Sequence, residues 1–233
     1  MDELERIQQR YRERDASQAL TGFWTLRNPL VLHLSQERER AVLHAFSRAH
    51  LDLHGLQWLD VGCGRGVEFP NYLRWGAEVD HLVGVDLMHH RLLAAREATG
   101  VALAQASGSQ LPFADASFDI VSQNVVFSSI VDAGVRTAVA AEMLRVLRPG
   151  GQVLWYDAAR TRGNDPHFQA VSRDEVERLF PAVDWHWQRL TTDLGVIRRV
   201  HAAFGERAMR LFDLTGLMKT HLLGLGTKRG DAA

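Results

Sequence analysis

Two periodicities alternate along the chain, one near 3.6 residues and one made of short apolar runs, and their order predicts the architecture. Residues 2–14 carry Leu4, Ile7 and Tyr11 at helical spacing among many charges, which predicts a short amphipathic helix, and a loop through Gly22, Asn28 and Pro29 follows. Residues 36–49 place Val42, Leu43, Phe46 and Ala49 on one face, a second helix. Apolar runs at 57–61, 81–86, 101–106, 118–122 and 152–156 then read as five buried strands. Helices fit between them: 67–75 stopped by Gly76, 88–99 closed by Gly100, and a third in which Val135, Val139, Met143 and Leu147 repeat every four residues until Arg148-Pro149-Gly150-Gly151 ends it. Ser172-Arg173-Asp174-Glu175 is a capping box opening a helix to Phe180, stopped by Pro181. Segments 183–190 and 220–226 alternate enough to be a sixth and a seventh strand. Strands alternating with helices predict an α/β fold, a doubly wound, mostly parallel seven-stranded sheet with an antiparallel last strand.

That topology places the connection 191–219 above the carboxyl edge of the sheet. It is long and apolar, with Val196, Val200, Phe204, Met209, Phe212 and Leu217 among arginines. A helical substrate lid is the preferred reading, a dimer contact the alternative. Residues 1–50 are expected to form an N-terminal helical cap and 51–233 one α/β domain.

Candidate chemistry concentrates at Leu59-Asp60-Val61-Gly62-Cys63-Gly64-Arg65-Gly66, an apolar run ending in an acid and then glycine at every second position. A strand running through a tight turn into a helix would set unpaired N–H donors and bare main chain against a ligand. The spacing is neither the dinucleotide fingerprint G-x-G-x-x-G nor the Gly-Lys-Ser/Thr of a P-loop. Asp60 would repel a pyrophosphate but could hold an ammonium group, directly or through water. About 20 residues past Gly66 stands Asp86, at the end of the second strand, where a carboxylate can accept both hydroxyl protons of a ribose.

Together with Val83-Gly84-Val85-Asp86, Leu111-Pro112-Phe113-Ala114-Asp115-Ala116-Ser117-Phe118-Asp119-Ile120-Val121 and Leu144-Arg145-Val146-Leu147-Arg148-Pro149-Gly150-Gly151, in that order, the glycine loop resembles motif I of the class I S-adenosylmethionine-dependent methyltransferases. The resemblance spans residues 59–157 and implies a Rossmann-like fold with S-adenosylmethionine as cofactor. It is strongest to small bacterial methyltransferases of biosynthetic gene clusters, in which a Tyr-x-x-Arg element ahead of the core folds over the cofactor; Tyr11 and Arg14 match that element, the alternative being a solvated helix face. The implied cofactor contacts are Tyr11, Arg14, Asp60, Gly62, Cys63, Gly64, Gly66, Asp86 with the adjoining Leu87, Ser107, Gly108, and Gln123 toward the methionine half. Ser107 departs from the pattern, standing where relatives have an acid that accepts from the adenine amino group; an uncharged hydroxyl is the weaker partner. Phe127 beside Gln123 reads equally as core.

Methyl transfer from a sulfonium is an in-line displacement that needs no metal, and none is expected here. A hydroxyl acceptor would benefit from a general base, for which Asp157, His167 and His221 are the candidates, although a lone histidine is more often structural. Arg160 and Arg162 are candidates for an acidic group on the substrate, with solvated surface arginines as the alternative.

Composition narrows the partners. The 233 residues are 46% hydrophobic and 24% charged with a net charge of −1, an ordinary globular balance without the basic footprint of a nucleic-acid binder. Cys63 is the only cysteine, which excludes an intramolecular disulfide. No apolar run is long enough to span a bilayer and the N-terminus is charged. The expectation is a cytoplasmic enzyme, monomer or homodimer, with a small-molecule substrate and neither nucleic acid nor membrane as partner. O-methylation of a small hydroxylated metabolite, a sugar or natural-product intermediate, is the preferred activity. The rivals are N- or C-methylation and a binding protein without catalysis; a nicotinamide dehydrogenase lacks its glycine spacing here.

Overall fold

The computed structural model describes residues 2–17, 22–160 and 165–230; Arg162 therefore lies outside the described residues. In chain order the elements are α1 (Glu3–Ala16), α2 (Pro29–Arg48), β1 (Trp58–Val61), α3 (Phe69–Trp75), β2 (Leu82–Asp86), α4 (His89–Thr99), β3 (Ala102–Gln105), β4 (Phe118–Asn124), α5 (Ala133–Val146), β5 (Leu147–Ala158), α6 (Arg173–Leu179), β6 (Val183–Thr192), α7 (Leu194–Leu214) and β7 (Lys219–Lys228). The strands form one sheet in the order β3-β2-β1-β4-β5-β7-β6. Strands β1 to β5 pair in parallel, and β7 is antiparallel to both β5 and β6. This is the doubly wound sheet that the sequence predicts.

Two predicted boundaries shift for local reasons. The second helix begins at Pro29 rather than 36, because the Asn28 side chain accepts from the Leu30 N–H and Pro29 fills the first helical position, where no N–H is needed. Strand β5 begins at Leu147 rather than 152, since Leu147 pairs with Phe118 before a bulge and Arg148-Pro149-Gly150-Gly151 runs on into the strand. The first-turn residues of α1 are Glu3 and Glu5, and Asp2 caps it reciprocally with Glu5.

The apolar core divides over the two faces of the sheet. On one, Leu59, Val61, Val121, Phe127, Met143, Trp155 and Phe180 pack under α5 and α6; on the other, Trp58, Phe69, Tyr72, Leu82, Ile120 and Leu154 pack under α2, α3 and α4. Strand order reverses direction at β1, whose neighbours are β2 and β4, so the chain exits in opposite senses there and leaves a crevice above the carboxyl ends of β1 and β4.

One buried cation fastens the α5 face. The Arg136 guanidinium donates to the Ile130 and Gln169 carbonyls and pairs with Glu175 at 2.6 Å, which ties α5 to α6 and to the segment after β5. Truncating it would strand two carbonyls and a carboxylate, so Arg136→Ala should lower unfolding free energy by about 3 kcal/mol. Urea unfolding followed by circular dichroism checks this; a loss within the range of ordinary surface substitutions would show that Arg136 does not fasten these elements.

Candidate active site

The glycine loop sits at the strand-order reversal, held by the neighbouring strand rather than by its own turn alone. The Gly62 and Cys63 N–H groups both donate to the Val85 carbonyl, at 2.8 and 2.9 Å. Gly62, Gly64 and Gly66 all have positive φ, but they serve different ends. A side chain at Gly62 would meet Val126, and one at Gly66 would meet Phe69 and Ala95, so these two glycines allow the protein to pack against itself. At Gly64 the space is open as far as the Arg91 guanidinium, 3.6 Å away, and a ligand can approach main chain there.

Asp60, at the end of β1, is buried. Its Oδ1 accepts from the Ser122 hydroxyl at 2.7 Å and from the Tyr72 hydroxyl at 3.2 Å, and Ser122 in turn accepts from the Trp58 indole. Burial is the main cause that pushes its carboxyl up to about 7, against the two hydroxyl donors. Asp86, at the end of β2, is also buried rather than projecting from an exposed strand end. Its two oxygens accept from the Gly64 and Met88 N–H groups at 2.9 and 2.8 Å, so it shapes the loop it was expected only to face. Each carboxylate oxygen keeps a further lone pair. Leu87 follows it and is half-buried, its carbonyl accepting weakly from Gln105. Cys63 is buried and its thiol is pushed well up, chiefly by burial, which makes it a small loop filler.

Ser107 and Gly108 follow β3. The Ser107 hydroxyl contacts the Ser109 hydroxyl at 2.8 Å and accepts from the Ser109 N–H, an arrangement that fixes the turn. Gln123 is braced within the protein: its amide nitrogen donates to the Tyr156 carbonyl and its oxygen accepts from the Val126 N–H. These bonds brace a turn in which Val125 has φ of 56°, and the amide keeps a second N–H and a second lone pair. Phe127 is core.

The N-terminal helix roofs the crevice. Tyr11 contacts the Ser129 hydroxyl at 3.0 Å beyond β4, and its ring lies beneath the Arg91 guanidinium at 4.3 Å. Asp15 accepts a bidentate pair from Arg91 and a further bond from His90, joining the end of α1 to the start of α4. Arg91, His90 and the more distant Arg65 hold its carboxyl down to about 2 in spite of burial. Toward the start of the helix, Arg6 donates to the Ser129 carbonyl and Glu3 accepts from the Val131 N–H. Neither Asp15 nor Arg91 was singled out from the sequence; only their spatial pairing marks them.

Beneath α1 lies a cavity of about 300 Å³, lined by Arg6, Arg10, Tyr11, Arg14, Trp24, Ser129, Asp165 and His167 among others. Arg10 pairs with Asp165 at 2.8 Å, whereas the Arg14 guanidinium has, among the described residues, a distant ring contact with Tyr11 and no ion pair. The three candidate bases part company. His167 lines this cavity, its Nδ1 accepting from Arg6 at 3.2 Å. An arginine can only donate, so the other ring nitrogen carries the proton. His221 lies instead beside a separate small cavity with Arg160 and Arg189, stacked on Tyr156. Burial, with Arg38 nearby, lowers it to about 4. Asp157 is buried with both oxygens taken by the Ser128 and Ala158 N–H groups and is raised to about 6 by burial.

The donor set fits the group that the sequence resemblance implies: an unscreened carboxylate for an ammonium at Asp60, an acid at Asp86 within reach of the open main chain at Gly64, and hydroxyls after β3. A family model described as a methyltransferase domain matches residues 59–155. Phosphatidylethanolamine N-methyltransferase of Cereibacter sphaeroides is 33% identical over 157 residues, which are 62% of this chain and 72% of that protein. Ubiquinone biosynthesis O-methyltransferase of Parvibaculum lavamentivorans is 26% identical over 196 residues, 82% of this chain and 73% of that protein. The chain spans 43% of the length of another relative, from Encephalitozoon cuniculi. In fold, it superposes on an S-adenosylmethionine-dependent methyltransferase from Mesorhizobium loti with a TM-score of 0.58 at 18% identity, over 84% of this chain and all of that one.

Two measurements probe this arrangement. Asp60 has a folded pKa of about 7, well above its unfolded value near 3.9, so its contribution to stability is complete below about pH 4 and is lost as pH rises to about 7. Asp60→Asn should therefore gain on the wild type across that window, by up to about 1.4 kcal/mol per pH unit, in urea unfolding series; parallel pH profiles would show Asp60 to be ionised throughout. Asp15→Ala should accelerate amide exchange across residues 3–16 by roughly tenfold or more while β1 and β4 stay protected; unchanged exchange would mean that other contacts hold the roof shut.

Proposed function

The chain belongs to the class I S-adenosylmethionine-dependent methyltransferase family, and from that premise we propose that it methylates a hydroxyl of a small metabolite seated in the cavity under α1. The observation that carries this reading is the lining of that cavity, where His167, three arginines and the rings of Tyr11, Trp24 and Phe168 enclose about 300 Å³ between the roof helix and the segment after β5. A volume of that order suits a small molecule and not a macromolecule. The relatives' names divide between O- and N-methylation, so the site chemistry decides the preference here.

When bound, S-adenosylmethionine supplies a methyl group already activated by its sulfonium charge. The protein's part is to align, dry and deprotonate. Asp60, raised by burial, has no ion pair among the described residues and would return to the charged form against an ammonium. Asp86 and the main chain at Gly64 offer the ribose its acceptors. Tyr11 and Arg14, carried by α1, close the crevice from the solvent side. Arg14, without an ion pair among the described residues, offers its guanidinium to an acidic group on the acceptor, such as a carboxylate or phosphate.

His167 is the base that this geometry favours. Asp157 is wholly buried and does not line the cavity, and His221 borders the other one. The Arg6 guanidinium occupies the Nδ1 lone pair of His167, so an acceptor hydroxyl must displace it, as catalytic hydrogen bonds often form only with substrate in place.

With an acceptor identified by release of S-adenosylhomocysteine, His167→Ala should lower kcat by about 10²-fold or more at unchanged cofactor affinity. Full activity in the variant, or turnover only with amine acceptors, would overturn the hydroxyl assignment.

A further inference from the structure

Helix α7 is turned inside out relative to an ordinary surface helix. Its inward side carries an ion network: Asp213 accepts from His33 of α2 at 2.5 Å, from Lys219 at 2.7 Å and from Thr192, and Lys219 also pairs with Glu37 of α2 at 2.6 Å. Lys219 and His33 are buried, and these partners hold the Asp213 carboxyl far below the usual range in spite of its own burial. Only Ile197 and Met209 of α7 are fully buried, packed with Leu30. Apolar side chains meanwhile face water: Leu211 is 67% exposed, Leu214 83% and Phe204 76%, with Leu217 at 59% just beyond the helix.

Gly205, with φ of 76° and ψ of −172°, kinks the helix, and in the part that follows two arginines lie on the same side as the exposed leucines. Arg207, Leu211 and Leu214 stand at i, i+4 and i+7, a single stripe, and Arg210 flanks it. Residues 194–218 contain Arg198, Arg199, Arg207 and Arg210, against Glu206, the N-cap Asp193 and the inward Asp213. The face is therefore apolar and cationic at once. Nor can the helix roll to hide it, because that would drag Arg207 inward and pull Asp213 away from His33 and Lys219.

We propose that this face of α7 docks on an anionic phospholipid surface, with Phe204, Leu211, Leu214 and Leu217 entering the headgroup boundary and the arginines meeting lipid phosphates. A helix with leucine and phenylalanine among arginines on its exposed side has the chemistry of an interfacial helix, lying on the bilayer and not across it. A second copy of the chain fits less well. In a two-fold interface the same patch meets itself, so the arginines of one copy would face those of the other with one exposed acid, Glu206, to offset them, and Glu206 is already paired with Arg210. The near-neutral charge of the whole chain conceals this local excess, and the absence of a spanning run, true also of every described helix, has no bearing on a surface helix. The expectation of no membrane partner drew on the lack of a spanning run and on the charged N-terminus, neither of which bears on a surface helix. Because β6 ends and β7 begins at the carboxyl edge of the sheet, α7 would bring that edge, where the cavity under α1 also lies, toward the lipid.

The test is co-sedimentation of the full chain with vesicles of phosphatidylcholine alone and of phosphatidylcholine with phosphatidylglycerol, at about 0.15 M ionic strength. The bound fraction should be roughly tenfold higher on the anionic vesicles and should fall as salt is raised. Leu211→Gln with Leu214→Gln, and separately Arg207→Gln with Arg210→Gln, should each reduce binding about tenfold while the thermal midpoint stays within a few degrees of wild type. Equal binding to both vesicles, no binding, or variants that bind like wild type would overturn the proposal. So would a dimer in sedimentation velocity that the leucine pair of substitutions dissolves, which would assign the face to a second copy.

Discussion

A carboxyl group in the driest part of the sheet sets the terms for the rest of this site. Asp60 ends the central strand, with β2 on one side and β4 on the other, and is almost wholly buried there, with no ion pair among the described residues. Its neighbours answer this in two ways. Ser122, at the same register on β4, and Tyr72, from α3, donate hydroxyls to one oxygen; the stacking of Tyr72 on Trp58, ring centroids 4.2 Å apart, holds the phenol in place. What they leave unsatisfied is the charge itself, which is why the group sits near 7 and why a cation arriving at the glycine loop would find a partner already built.

The roof over this loop depends on charges too, but of the opposite kind. α1 buries no residue completely, and so it is held chiefly by directed bonds: Asp15 to Arg91 and His90 at one end, Glu3 and Arg6 to the main chain after β4 at the other. An element docked through polar contacts opens at lower free energy than one docked through apolar area, because water can replace each contact as it breaks. A roof of this kind is suited to a crevice that must admit one ligand and release another.

What could be read from the sequence divides along the same line. Periodicity located the sheet and its helices because apolar spacing is a local record of which face is buried. Four motifs in register located the glycine loop and Asp86. The roles of individual polar side chains were less legible. Gln123 and Asp157 stand at strand ends as ligand-facing residues do, yet both also accept from main-chain N–H groups of the turns beside them, and nothing in the sequence announces which N–H groups will lack partners. The Asp15–Arg91 clasp joins residues far apart in the chain, and so it is invisible to any argument from spacing. The same holds for the three candidate bases, which look equivalent in sequence and occupy three distinct surroundings in the fold.

The two ends of the crevice then differ in how firmly they are fixed. At α7, Asp213 is locked between α2 and the start of β7 by His33 and Lys219, and Glu37 extends the lock to the Thr191 N–H of β6. Removing any one of these charges leaves another buried without its partner, a larger penalty than losing an exposed pair such as Arg10 and Asp165. The side of the molecule that carries the exposed leucines is therefore rigidly joined to the sheet, while the roof over the cavity is held by contacts that water can replace. Access to the cavity should accordingly come from motion of α1 against a fixed α2–α7 frame, which lets one face of the molecule remain engaged while the other opens.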